Sequence, residues 1–218
     1  MKEISLPAYT RSEEAVNTAT HVVGAMMALV LLGRGLTLAR LHGKELALAS
    51  CWIYGLSMFV LYAASSLYHA LPVGRAKRVM RVVDHCTIYL LIAGSYTPVL
   101  LTAIRPLHPK LAWAVFAAEW GLGLLAALMT AKDMQRYSRL SMFCYLAMGW
   151  LIVLALKPTI EAVGMQGFLW LLAGGIAYTI GALLYKVGKK KRYVHAVFHV
   201  FVVLGSLLQA VCILGYVL

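Results

Sequence analysis

The chain has 218 residues, 62% of them hydrophobic and 13% charged, with a formal net charge of +12 and a mean hydropathy of +0.80. Soluble domains are nearer half apolar and a quarter charged, so this balance excludes a water-soluble globular protein and predicts an integral membrane one. The positive charge is no nucleic-acid signal: it sits in short loops between apolar runs, where membrane orientation and anionic headgroups account for it.

The opening stretch MKEISLPAYTRSEEAVNTAT has no apolar core, so no removable signal peptide is expected in it. Seven apolar runs follow. A helix needs about 20 apolar residues to cross about 30 Å of hydrocarbon. The runs predict spans over 19–39, 47–70, 83–104, 111–130, 140–157, 168–186 and 195–217. They are continuous rather than alternating, which reads as helices and not as a barrel. Little chain is left over, so 1–218 is expected to form one all-α seven-helix membrane domain. The first span is preceded by Glu14 and Asn17, which share a helix face with His21 at i, i+3 and i+7. The second ends in SSLYH, with Ser65 and His69 on one face. The third opens with Asp84 and His85, and Pro98 is expected to kink it. The fourth carries Glu119 near its middle, a functional candidate by depth alone. A protonated glutamate hydrogen-bonded within the bundle is the expected state. The sixth holds a small-residue pair, Ala177 and Gly181. The seventh opens with His195 and His199, four apart on one face. Tyr89 and Tyr96 are expected to pack. Cys51, Cys86, Cys144 and Cys212 are far apart in sequence and imply neither a disulfide nor a metal framework.

Lys and Arg concentrate on one side of this topology. That side has Lys2 and Arg11, then Arg75, Lys77, Arg78 and Arg81. Lys132, Arg136 and Arg139 follow, then Lys186, Lys189, Lys190, Lys191 and Arg192. The other side has only Arg34, Arg40, Lys44, Arg105, Lys110 and Lys157. The bias predicts a cytoplasmic N-terminus and an outside C-terminus.

His42 and His108 fall in outer loops, where a solvated role suffices. His21, His69, His85, His195 and His199 fall at the cytoplasmic ends of four helices, at one depth. Intramembrane ionisable groups are costly, so such a cluster points to a site. Zinc takes imidazole and carboxylate ligands in a tetrahedron, and three protein ligands with an open position is its catalytic form. His69, His195 and His199 are the expected ligands. Asp84 is expected to hold and deprotonate the attacking water, and Ser65 to face the substrate or support a ligand. Glu14, Asn17 and His21 are candidates for a supporting shell, with a helix–helix hydrogen bond the alternative for His21. His85 neighbours Asp84 and is expected to point elsewhere.

Four motifs, EAVNTATH, SSLYH, DHCTIYLLIAGSYTP and HAVFH, occur in that order on the first, second, third and seventh spans. Together they resemble the hemolysin III family of bacterial membrane proteins, which belongs with the progestin and adipoQ receptors. The resemblance covers nearly the whole chain. It implies a seven-helix bundle with its N-terminus inside and zinc near the cytoplasmic face, held at positions matching His69, His195 and His199. The family's aspartate and serine match Asp84 and Ser65. Alkaline ceramidases of the wider superfamily hydrolyse a lipid amide, and the receptor branch has been linked to similar activity. The receptors carry a longer N-terminal region than this chain, which sets any receptor-type docking apart.

Three functions follow. The first is a zinc-dependent hydrolase of a lipid acyl amide or ester in the bacterial inner membrane, releasing a fatty acid and serving lipid homeostasis, with membrane lipids as its partners and no nucleic acid. The second is a sensor of membrane state with structural zinc. The third is a pore, which needs polar groups across the whole bilayer, whereas the outer halves are apolar apart from scattered groups such as Ser95, Thr97, Ser206 and Gln209.

Overall fold

The computed structural model describes residues 5–188 and 191–218; Lys2, Lys189 and Lys190 of the orientation argument lie outside them. Thr10 sets the start of the first helix. Its side chain accepts from the Glu13 amide at 3.3 Å, and the Glu13 carboxylate accepts from the Thr10 amide at 2.9 Å. This reciprocal cap starts α1 (Arg11–His42) eight residues before the expected apolar boundary. Gly43 ends it in the left-handed conformation, with φ 59°. The second helix, α2 (Ala47–Ala70), has the expected bounds. The third, α3 (Arg75–Pro98), also starts early, so Arg75, Lys77, Arg78 and Arg81 lie on its first turns rather than in a loop. Pro98 lacks an N–H, and beyond it the helix widens into a π-helical turn, Val99–Ile104. The rest is α4 (Pro109–Lys132), α5 (Ser138–Gly149), a 3₁₀ turn Leu151–Ala155, α6 (Leu156–Gly188) and α7 (Val194–Cys212), which runs into the π-helical Ile213–Val217. Among the described residues every such element is helical.

Among the described residues, six helical stretches are long and apolar enough to cross a membrane, where seven are expected from the sequence. The expected fifth and sixth spans run on as one 49-residue stretch, Ser138–Lys186. Gly164 interrupts it with φ 70° and ψ 166°, a backbone state open to glycine and strained for other residues. Trp150 Nε1, before the glycine, donates to Thr179 Oγ1, beyond it, at 3.1 Å. The two halves of the stretch therefore lie against each other.

Neighbouring helices pack in sequence from α1 to α4, α6 packs on α7, and α1 meets α7 to join the two ends of the series. Tyr62, Met58, Leu100, Ile104 and Ile213 are wholly enclosed. Buried hydroxyls here need protein partners, because lipid offers none. Ser206 Oγ meets Tyr62 Oη at 2.6 Å and Tyr178 Oη at 2.7 Å, and Tyr54 Oη donates to the Ser206 carbonyl at 3.1 Å. Gly205 makes room for the Tyr178 ring, which a Cβ there would meet at 2.8 Å. Glu119 departs from expectation. It is 0% exposed, and neither oxygen has a hydrogen-bond partner. His42 and His108 are not simply solvated: His42 Nδ1 donates to the Leu218 carbonyl at 2.7 Å, and His108 Nε2 lies 2.9 Å from the Glu161 carboxylate. The four cysteines are free thiols.

Candidate metal centre

The start of α1, the end of α2, the start of α3 and the start of α7 meet at one end of the bundle. His69, His195 and His199 are all buried there, with one ring nitrogen from each within 4.8 Å of the others. His195 Nε2 and His199 Nε2 are 3.1 Å apart. The Nδ1 atoms of His69 and His199 are committed. His69 Nδ1 donates to Glu14 Oε2 at 2.6 Å. His199 Nδ1 donates to the Asn17 carbonyl and to Thr20 Oγ1, each at 3.2 Å. Such bonds select the tautomer that turns a bare Nε2 inward, the arrangement of metal-ligating histidines. His69 Nε2 is buried without a hydrogen-bond partner. The Nε2 atoms of His69 and His199, with His195 Nε2 beside them, are a donor set that could hold a metal ion.

Sequence reasoning missed Lys77 as part of this site and counted it as a loop cation. It is 3% exposed. Its ammonium donates to the carbonyls of His69 at 3.2 Å and Leu71 at 2.9 Å, and pairs with Glu14 Oε1 at 2.9 Å. All three donors are used, and α1, α2 and α3 are tied together beside the histidines. Lys77, Arg81 and Asp84 share a helix face at i, i+4 and i+7, the one signal that could have placed Lys77 here.

Tyr9 is a second omission. Its ring stacks on His195 with centroids 5.0 Å apart. The segment before α1 is tethered by Arg81, which donates to the Ser5 carbonyl, and by Gln135 Nε2, 3.0 Å from Ser5 Oγ. Burial pushes the Tyr9 hydroxyl well above its usual range, helped by nearby Tyr68, Tyr185 and Glu14, so it stays neutral.

His21 makes no hydrogen bond through either ring nitrogen. It stacks on His199 at 3.7 Å, so the expected helix–helix hydrogen bond is not made and the ring lies against one of the three histidines instead. Asp84 and Ser65 line a cavity of about 140 Å³ with His21, His195 and His199, and Asp84 stands outside the three-histidine set. His85, expected to point elsewhere, lines the same cavity, with Nε2 3.1 Å from Tyr185 Oη. Beyond this polar end the walls are mainly apolar, with Leu61, Ile88, Ile92, Leu146 and Val202 among them. A further cavity of about 60 Å³ shares part of the far wall.

The family described as "Haemolysin-III related" matches residues 9–210, which include every residue of the cluster from Tyr9 to His199. The chain belongs to the haemolysin-III related family. It is 38% identical over 206 residues to "Hemolysin-3" of Bacillus cereus, covering 94% of this chain and 92% of that one. It is 36% identical over 208 residues to "Hemolysin-3 homolog" of Bacillus subtilis (strain 168), covering 95% and 96%. Similarity extends to the human "Monocyte to macrophage differentiation factor", 29% identical over 212 residues and covering 94% and 84%. The haemolysin-III family is thus the one that the four sequence motifs resemble. Its match over nearly the whole chain, with six candidate spans, makes this a multi-pass membrane protein.

Proposed function

We propose that this haemolysin-III family member is a zinc-dependent hydrolase of a membrane lipid's acyl amide or ester bond, serving membrane lipid homeostasis. The observation that carries the reading is a three-imidazole cluster, two of whose members, His195 and His199, line a largely apolar cavity whose polar end also bears Asp84 and Ser65. Zinc held by His69, His195 and His199 would supply Lewis-acid polarisation and a water of lowered pKa. Glu14 and the Asn17 carbonyl orient two of those rings. Asp84 takes a proton from the attacking water and returns it to the leaving nitrogen or oxygen. Water adds across the acyl bond, and a free fatty acid and an amine or alcohol leave. The Ser65 hydroxyl faces the acyl head, and Leu61, Ile92 and Val202 shield the acyl chain from water.

The chain, read as one membrane domain, crosses the bacterial inner membrane seven times, with Ser138–Lys186 folding back at Gly164 and the N-terminus in the cytoplasm. The Trp150–Thr179 bond and the Lys and Arg bias support this. In a background lacking native cysteines, Glu161→Cys is expected to react with an impermeant maleimide in intact cells. Gln135→Cys and Lys191→Cys should react only after permeabilisation. Labelling Gln135→Cys and Lys191→Cys from opposite sides would mean a single crossing.

Elemental analysis of the purified protein beside a His69→Ala, His195→Ala, His199→Ala variant tests the site. About one zinc per chain is expected in the wild type and none in the variant. The zinc-loaded protein should then release fatty acid from acyl lipids, read by mass spectrometry. Absence of metal from both proteins overturns the reading. Zinc without fatty-acid release transfers it to a sensor with structural metal.

A further inference from the structure

The cavity's far end is not purely apolar. Ser95 and Gln209 lie on the walls of both the 140 Å³ and the 60 Å³ cavities, so they flank the region the two share. Gln209 Oε1 is buried without a hydrogen-bond partner. Ser95 Oγ gives its proton to the Ile92 carbonyl at 2.8 Å and keeps its acceptor capacity. Other polar groups on both walls are already engaged. Trp150 Nε1 donates to Thr179 Oγ1, and Tyr96 Oη donates to the Gly149 carbonyl at 2.9 Å. This depth of the cavity therefore presents two acceptors, Gln209 Oε1 and Ser95 Oγ, to which no donor of the protein is bonded, beside the Gln209 amide N–H groups. Leaving a buried amide oxygen bare is costly in a lipid-embedded core, and a hydroxyl on the bound molecule would remove that cost.

We infer that Ser95 and Gln209 form a hydroxyl-binding subsite, and that the preferred ligand is an acyl chain hydroxylated near its middle. The inference rests on the reading of the cavity as an acyl-chain pocket. Position on the chain follows from α7. His199 and Gln209 are ten residues apart on one helix, about 15 Å at about 1.5 Å per residue. With C–C bonds of about 1.5 Å and a rise of roughly 1.3 Å per carbon, that span is about a dozen carbons. A hydroxyl about twelve carbons from the acyl head thus reaches Gln209, where the amide accepts its proton and can donate back to its oxygen. A plain chain leaves Gln209 Oε1 as it stands.

The test uses the full chain in lipid nanodiscs and tritiated octadecanoic acid at equilibrium. Unlabelled octadecanoic acid and 12-hydroxyoctadecanoic acid are compared as competitors. The hydroxy acid is expected to displace the label at about 3- to 10-fold lower concentration, the return of one net hydrogen bond. In Gln209→Leu that advantage should vanish while octadecanoic acid still binds, which also reports a folded protein. Equal displacement in the wild type, or an advantage that survives Gln209→Leu, overturns the subsite and leaves the acyl pocket standing. Absence of displaceable binding by either acid overturns the acyl pocket and the subsite with it.

Discussion

Glu14→Gln is expected to weaken zinc binding about 10- to 100-fold while the protein remains folded, the usual cost of losing a ligand's supporting partner. The carboxylate sits 2.6 Å from His69 Nδ1, on the far side of the ring from the orphaned Nε2. A negative acceptor on Nδ1–H pushes electron density toward Nε2 and fixes the ring plane; a neutral amide does the second far better than the first. Lys77→Met should act in the same direction by another route. It removes the ammonium that holds Glu14 Oε1 at 2.9 Å and leaves the His69 and Leu71 carbonyls without that donor. Its effect should include lost stability, because a partly buried carboxylate then stands without its cation. Competition against a chelator of known affinity measures the first effect, and thermal unfolding in detergent the second. Unchanged zinc affinity in Glu14→Gln would remove Glu14 from the site.

Glu119→Met should make the protein more stable, against the usual direction for a core substitution. Both Glu119 oxygens are enclosed without a partner, so the acid loses its water on folding and gains no bond in return. Methionine has similar volume and no polar atoms. Removing the unmet groups should return about 1–3 kcal/mol, a rise of about 2–4 °C in Tm per kcal/mol at this chain length. A Tm that falls in Glu119→Met and recovers in Glu119→Gln would show instead that the oxygens have a partner in the membrane.

Some of the site was legible because it is local. His195 and His199 share a face at i, i+4, and so do Ser65 and His69; helix geometry alone makes those pairs. The early starts of α1 and α3 were not legible from hydropathy, since polar turns look like loops until a cap or a packed partner is seen. Thr10 and Glu13 are the local sign at α1, in the S/T-x-x-E spacing of a capping box. For α3 the buried Lys77 is the reason, and it depends on carbonyls at the end of α2. His21 was placed at the right depth, but its stacking on His199 instead of a hydrogen bond is a matter of ring orientation across two helices.

The sequence by itself determined the class of this protein, its helical content and the faces that carry its histidines. Hydropathy is a sum over neighbours, and helical periodicity is a property of a single segment. Tertiary structure decided what those faces meet. It set Glu14 against His69, turned Lys77 inward, laid Tyr9 on His195 and folded Ser138–Lys186 against itself at Gly164. Each of the first three contacts, between residues up to 186 positions apart, exists only once helices pack, because chain closure and shape complementarity choose the partners and no local pattern does.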